Sequence, residues 1–169
     1  MINKKKKRNP VLALQLSLNS AKDYYTRLCE IRLKVESIGG NNSINHSLDP
    51  EEWQRSVIYQ RALWVALIIE VGRLFDTFET EDKKVISFKS VFNGSSLKDL
   101  VDSIHGEAII SKIIKTRNTF TAHIGQKQDE IISAAEICDS KLERLLDELD
   151  EPLVLFAAWF IDNAQWENL

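Results

Sequence analysis

From Val11 to about Ile38 the chain has no Pro or Gly, and apolar residues recur at Leu14, Leu18, Ala21, Tyr25, Leu28, Leu33 and Val35. Spacings of three and four place most of these on one helical face, which predicts a long amphipathic helix. Gly39-Gly40-Asn41-Asn42-Ser43 ends it with turn residues. Asp49-Pro50-Glu51-Glu52 then supplies an N-cap, Pro at the first helical position and acids in the first turn. A second long helix is expected from Pro50 to about Thr77. Its middle, Ala62–Ile69, is apolar on every side, which predicts a central helix buried on most faces.

The next stretch is broken up. Ser87–Phe92 reads as one helical turn, Asn93-Gly94-Ser95-Ser96 as a loop and Leu97–His105 as a short amphipathic helix stopped by Gly106. Residues 107–124 form an Ile-rich helix ended by Gly125. From Asp129 a helical pattern returns through Ile131, Ala134, Ala135, Ile137, Cys138, Leu142, Leu145, Leu146 and Leu149. Pro152 marks a kink or break, and Leu153–Trp166 reads as a final apolar helix. No strand pattern and no repeat of 20–50 residues is visible. The expected fold is all-α: an up-and-down four-helix bundle with short inserted helices, built from a single domain over residues 11–169 behind a basic, disordered arm over residues 1–10.

Composition agrees with a globular chain. Of 169 residues, 44% are hydrophobic and 28% charged, which excludes disorder over most of the length. The longest uncharged apolar runs, Ala62–Ile69 and Leu153–Ile161, fall far short of the ~20 residues of a membrane span. The N-terminal apolar stretch is interrupted by Gln15, Ser17, Asn19 and Ser20, unlike a secretory leader. Cys29 and Cys138 lie in separate helical patterns without Cys-x-x-Cys, and read as reduced, packed thiols of a cytoplasmic protein. Three scattered His and two distant Cys do not suggest a metal site, and no cofactor motif appears.

The net charge of −3 hides a gradient. Residues 1–8 carry five basic and no acidic residues, whereas residues 129–169 carry two basic and eleven acidic. A broad nucleic-acid-binding surface would show a general basic excess. A polyanion handled by this chain would therefore be gripped locally. The acidic C-terminal stretch reads as a solvated helix face.

One helix departs from simple amphipathicity. At about 100° per residue from Ile109, the residues Phe120, Ile113, Ile124, Ile110 and Ile114 form one arc from about 20° to about 140°. Arg117 falls at about 80°, the middle of that arc, with Asn118 and His123 just off its two edges. Burying a guanidinium without a partner costs several kcal/mol. Arg117 must then reach an acid on the central helix, such as Glu70 or Asp76, or face a cleft or a second subunit. Arg73 and Asp76 read as an i,i+3 ion pair at a helix end, with Glu70 able to join it. Gly72, inside the same helix, marks a close helix crossing.

Arg117-Asn118, four residues, then His123 is a recognisable element, and it follows the Ile-rich run Ile113-Ile114. This pattern resembles the HEPN superfamily, whose signature is Arg, a polar residue, four to five more residues and His on the third helix of a four-helix bundle. Within it the chain is most similar to the abortive-infection AbiU-type HEPN proteins, through the apolar helix Trp64–Asp76 ending in Arg73-Leu74-Phe75-Asp76. The resemblance covers roughly residues 11–165. It implies a metal-independent endoribonuclease acting as a toxin or phage-defence effector, with RNA as substrate. It also implies a homodimer whose motif helices share one cleft, and an antitoxin or other neutralising partner.

The chemistry suits the residues. RNA supplies its own nucleophile, the 2′-OH, and DNA lacks it. His123 would serve as general acid/base, Arg117 would bind the phosphate and stabilise the phosphorane, and Asn118 would orient the phosphate or the imidazole. Glu70, Arg73 and Asp76 are supporting positions. On one helix Arg117 and His123 are about 120° apart around the axis and about 9 Å apart along it, so a composite cleft suits them better. Some relatives carry a modifiable Tyr two residues after the His; here that position is Gly125. The alternative is a non-catalytic HEPN-like helical module that binds RNA or a partner protein.

Overall fold

The side chain of Asn9 starts the first helix: its Oδ1 accepts from the backbone N–H of Val11 at 3.0 Å and of Leu12 at 3.3 Å. With Pro10 as the first helical residue, three of the donors left over at a helix start are met or absent. The helix therefore begins one residue before the expected Val11. The computed structural model describes residues 9–39, 50–76, 86–122, 131–155 and 158. It contains α1 (Pro10–Gly39), α2 (Pro50–Leu74), α3 (Phe88–Phe92), α4 (Lys98–His105), α5 (Ala108–Ala122), α6 (Ala134–Cys138) and α7 (Leu142–Glu148), with no strand among the described residues. Residues 1–8 of the expected arm and the expected helix beyond residue 155 lie outside the described residues, Ala158 excepted; the last two residues of that arm are ordered instead, Asn9 as the cap and Pro10 as the first residue of α1.

The fold is an all-α bundle. α1 and α2 form an antiparallel hairpin with the most extensive contact among the described elements. Lys34 pairs with Glu52 at 2.6 Å at one end of it, and residues 9–20 face Glu70 and Arg73 at the other. Leu14, Leu18, Ala21, Tyr25 and Leu28 of α1 are buried, as their spacing predicts. They meet Leu63, Leu67, Ile68, Val71 and Leu74 of α2 and Ile110 and Ile113 of α5 in one core. α3 and α4 fill the passage from α2 to α5. Phe75, Phe88 and Phe92 stack there, with ring centroids 6.2 and 5.6 Å apart, and anchor α3.

Two expectations are corrected. α2 is not buried on most sides: Val65 and Ile69, inside its all-apolar stretch, are exposed. Among the described residues its main neighbours are α1 and α5, which leave part of its surface uncovered. The helix expected from Asp129 to Leu149 is two short ones. α6 starts at Ala134 behind a capping box, in which Ser133 and Glu136 satisfy each other's backbone N–H groups. Lys112 and that cap hold the Glu136 carboxyl at a pKa of about 2. The chain then turns at Asp139–Lys141, where Ser140 Oγ donates to the Ile137 carbonyl at 2.6 Å and accepts from the Leu142 N–H. After a turn at Leu149 helix resumes at residues 150–155. Pro152 thus lies in a first turn, where its missing N–H costs nothing.

The cysteine reading is also corrected. Cys29 of α1 and Cys138 of α6 are joined as a disulfide, with Cα atoms 5.5 Å apart. Around it, Arg32 pairs with Asp139 at 2.6 Å and donates to the Ala135 carbonyl at 3.3 Å. Tyr25 OH donates to the Cys138 carbonyl at 3.3 Å. The small α6 is thus pinned onto α1 by a covalent link and a set of polar contacts.

Candidate functional site

α5 carries the motif. Ile110, Ile113 and Thr116 are fully buried, and Ile109 and Ile114 pack at the edges of the core. The core-facing side of α5 is therefore the arc expected from periodicity, and Arg117 lies on it. Its side chain is only 16% exposed and turns toward the C-terminal end of α2. There its Nη1 donates to Asp76 Oδ2 at 3.3 Å. Its Nε and Nη2 both donate to Asn118 Oδ1, at 3.3 and 3.1 Å. Of the two acids offered by the sequence, Asp76 is the partner.

Asp76 follows the last turn of α2, where unpaired carbonyls and the helix dipole also favour a cation. The guanidinium therefore stands at a negative helix end, against one carboxylate, with an amide oxygen on its Nε/Nη2 edge. Among the described residues, Asn118 Oδ1 thus braces the guanidinium of Arg117.

Arg73 and Asp76 do not pair with each other. Arg73 donates to Glu70 instead, at 3.0 and 3.3 Å, and only the Asp76 backbone N–H reaches the Arg73 carbonyl, at 3.4 Å. Glu70 and Arg73 line a separate open groove of about 460 Å³ with Leu12, Leu16, Ser17 and Ser20 of α1. The supporting positions thus divide: Asp76 belongs to the arginine site, and Glu70 and Arg73 to the groove. His123 lies outside the described residues, as does Gly125.

Three residues not read as part of the site adjoin it. Gly72 is buried, and a Cβ built on it would first meet atoms of Arg117. His105 of α4 lies against the Phe75 ring, next to Asp76, with centroids 5.9 Å apart. Burial and the nearby Lys89 lower its pKa below the ordinary histidine value. Thr116 is fully buried; its hydroxyl donates to the Lys112 carbonyl at 2.9 Å and accepts from the Ile132 N–H at 3.0 Å. It ties the chain that leads into α6 to the residue beside Arg117. Thr116→Val keeps the shape but leaves the buried Ile132 N–H unpaired. We expect it to lower stability by about 1–3 kcal/mol in urea unfolding. At about 340° from Ile109, Thr116 falls just off the edge of the apolar arc, so periodicity did not mark this position.

Among the described residues, no group of three or more His, Cys, Asp and Glu is arranged to hold a metal ion. No described helix is long and apolar enough to cross a membrane. Comparison with protein-family models, curated proteins and solved structures finds no match to the chain.

Proposed function

We propose that the chain is a HEPN-type metal-independent endoribonuclease that cleaves RNA by attack of the 2′-OH, acting as a toxin or phage-defence effector in the cytoplasm. The observation that carries this reading is the placement of Arg117. A fixed, largely buried guanidinium is held by Asp76 and Asn118 six residues before His123. Arg117 would bind the scissile phosphate and stabilise the charge gathered in the phosphorane. His123 would take the 2′ proton and return one to the leaving oxygen. A homodimer that shares one cleft, and an antitoxin or other neutralising partner, complete the proposal. Asp76 already gives the buried arginine a partner within its own chain, so the dimer draws on the family resemblance. In a cytoplasmic setting the Cys29–Cys138 link would be exposed to reduction.

One observation favours the second reading, a non-catalytic module that binds RNA or protein. The Asp76 carboxylate already offsets the charge of Arg117, so a phosphate must compete with it. Cleavage assays separate the two. The wild type should run as a dimer by light scattering and cut single-stranded RNA. Arg117→Ala should keep only a small residual rate and His123→Ala should not cut it, and His123→Ala should unfold within about 0.5 kcal/mol of the wild type, as edge substitutions do. RNA binding without cleavage would establish the second reading. A His123→Ala variant with wild-type activity would end the first.

A further inference from the structure

Gly72 lies in the last turn of α2 and is buried. Glycine is disfavoured in a helix interior relative to Ala, so its presence there needs a cause. A Cβ built on Gly72 would lie 2.4 Å from Arg117 Cδ, 3.0 Å from Nε and 3.1 Å from Nη1. Carbon atoms pack at about 3.5–4.0 Å, so a side chain at this position and the present path of Arg117 are incompatible. All three of these nearest atoms belong to one side chain, and none to a facing backbone. Where α2 and α5 meet, the gap at Gly72 admits the arginine side chain.

Asp76 stands four residues further on, two beyond the end of α2. The aliphatic end of Arg117 passes over Gly72, and the guanidinium then meets Asp76 on Nη1 and Asn118 on Nε and Nη2. We infer that Gly72 is a positioning residue for the proposed cleavage: its missing side chain opens the path by which Arg117 reaches Asp76. The inference rests on Arg117 as the phosphate-binding group. The atoms that a Cβ would displace are the far end of a flexible side chain. The cost of filling the gap therefore falls on the placement of the guanidinium, and the backbone of α2 need not move.

The test combines Gly72→Ala with Arg117→Ala. Gly72→Ala should unfold at the same or higher urea concentration than the wild type while its kcat for RNA falls about 100-fold, the scale of a 1 Å misplacement. In the Arg117→Ala background the same change should leave the residual rate unaltered, because the group it acts through is gone. Wild-type cleavage by Gly72→Ala, or a further 100-fold loss in the Arg117→Ala background, would overturn the inference. If Gly72→Ala does not fold, the double variant decides: folding restored by removal of Arg117 supports the seat, and continued failure assigns the gap to backbone packing. Should the wild type cleave no RNA, the proposed function fails by itself, and Gly72 is judged by unfolding alone. The coupling between Arg117→Ala and Asp76→Asn should then vanish once Gly72→Ala is present, and its persistence would refute the seat.

Discussion

Arg117→Lys is expected to fold and to cleave RNA at least ~100-fold more slowly than the wild type. Lys keeps the positive charge and can still approach Asp76. It cannot reproduce the planar fork in which Nε and Nη2 share Asn118 Oδ1, and a point charge is not a two-donor phosphate clamp. The loss should fall on kcat, since the developing charge of the phosphorane is what the fork stabilises. Products should carry 2′,3′-cyclic phosphate ends, as attack by the 2′-OH requires, and EDTA should leave the wild-type rate unchanged. Single-turnover assays with end-labelled RNA give all three results. Near-wild-type cleavage by the Lys variant would remove the clamp role from Arg117, and full inhibition by EDTA would remove the metal-independent mechanism.

The second large effect concerns the covalent link. Cys29 and Cys138 are 109 residues apart in sequence, so the disulfide closes most of the chain into a loop. Loop-closure entropy assigns such a link a stabilisation of about 4–5 kcal/mol, and removal of native disulfides costs about 2–5 kcal/mol in practice. A Cys29→Ser/Cys138→Ser variant should therefore unfold with a loss in that range, and reduction of the wild type should produce the same shift. Mass spectrometry of the unreduced protein after alkylation should show neither thiol modified. Labelling of both cysteines, or a double-serine variant as stable as the wild type under oxidising conditions, would show that the link contributes nothing. The loss should be read first in α6, which the disulfide pins to α1.

Periodicity sufficed where an element is long and packs along one face. The buried positions of α1 from Leu14 to Leu28 are those its spacing predicts. The arc on α5 was legible too, and with it the conflict that singles out Arg117. Local chemistry would have been enough for the start of α6, since Ser133-Ala134-Ala135-Glu136 is a capping box written in four residues. The expectation of one continuous helix from Asp129 followed apolar spacing and passed over that cap. The break at Asp139–Lys141 was harder to see, because it depends on the side chain of one serine.

The amino-acid sequence alone determined the helical class, the order of the main helices, the core faces of α1 and α5 and the need of Arg117 for a partner. These follow from local spacing, capping and the cost of burying a charge. Only the tertiary structure decided which acid meets Arg117, because Glu70 lies within α2 and Asp76 just beyond its end, and the direction of approach selects between them. It likewise showed that the space at Gly72 is the path of the Arg117 side chain. Tertiary structure alone also joined Cys29 to Cys138 and left part of the apolar stretch of α2 uncovered. Each of these depends on where distant segments lie in space, and no local pattern along the chain encodes that.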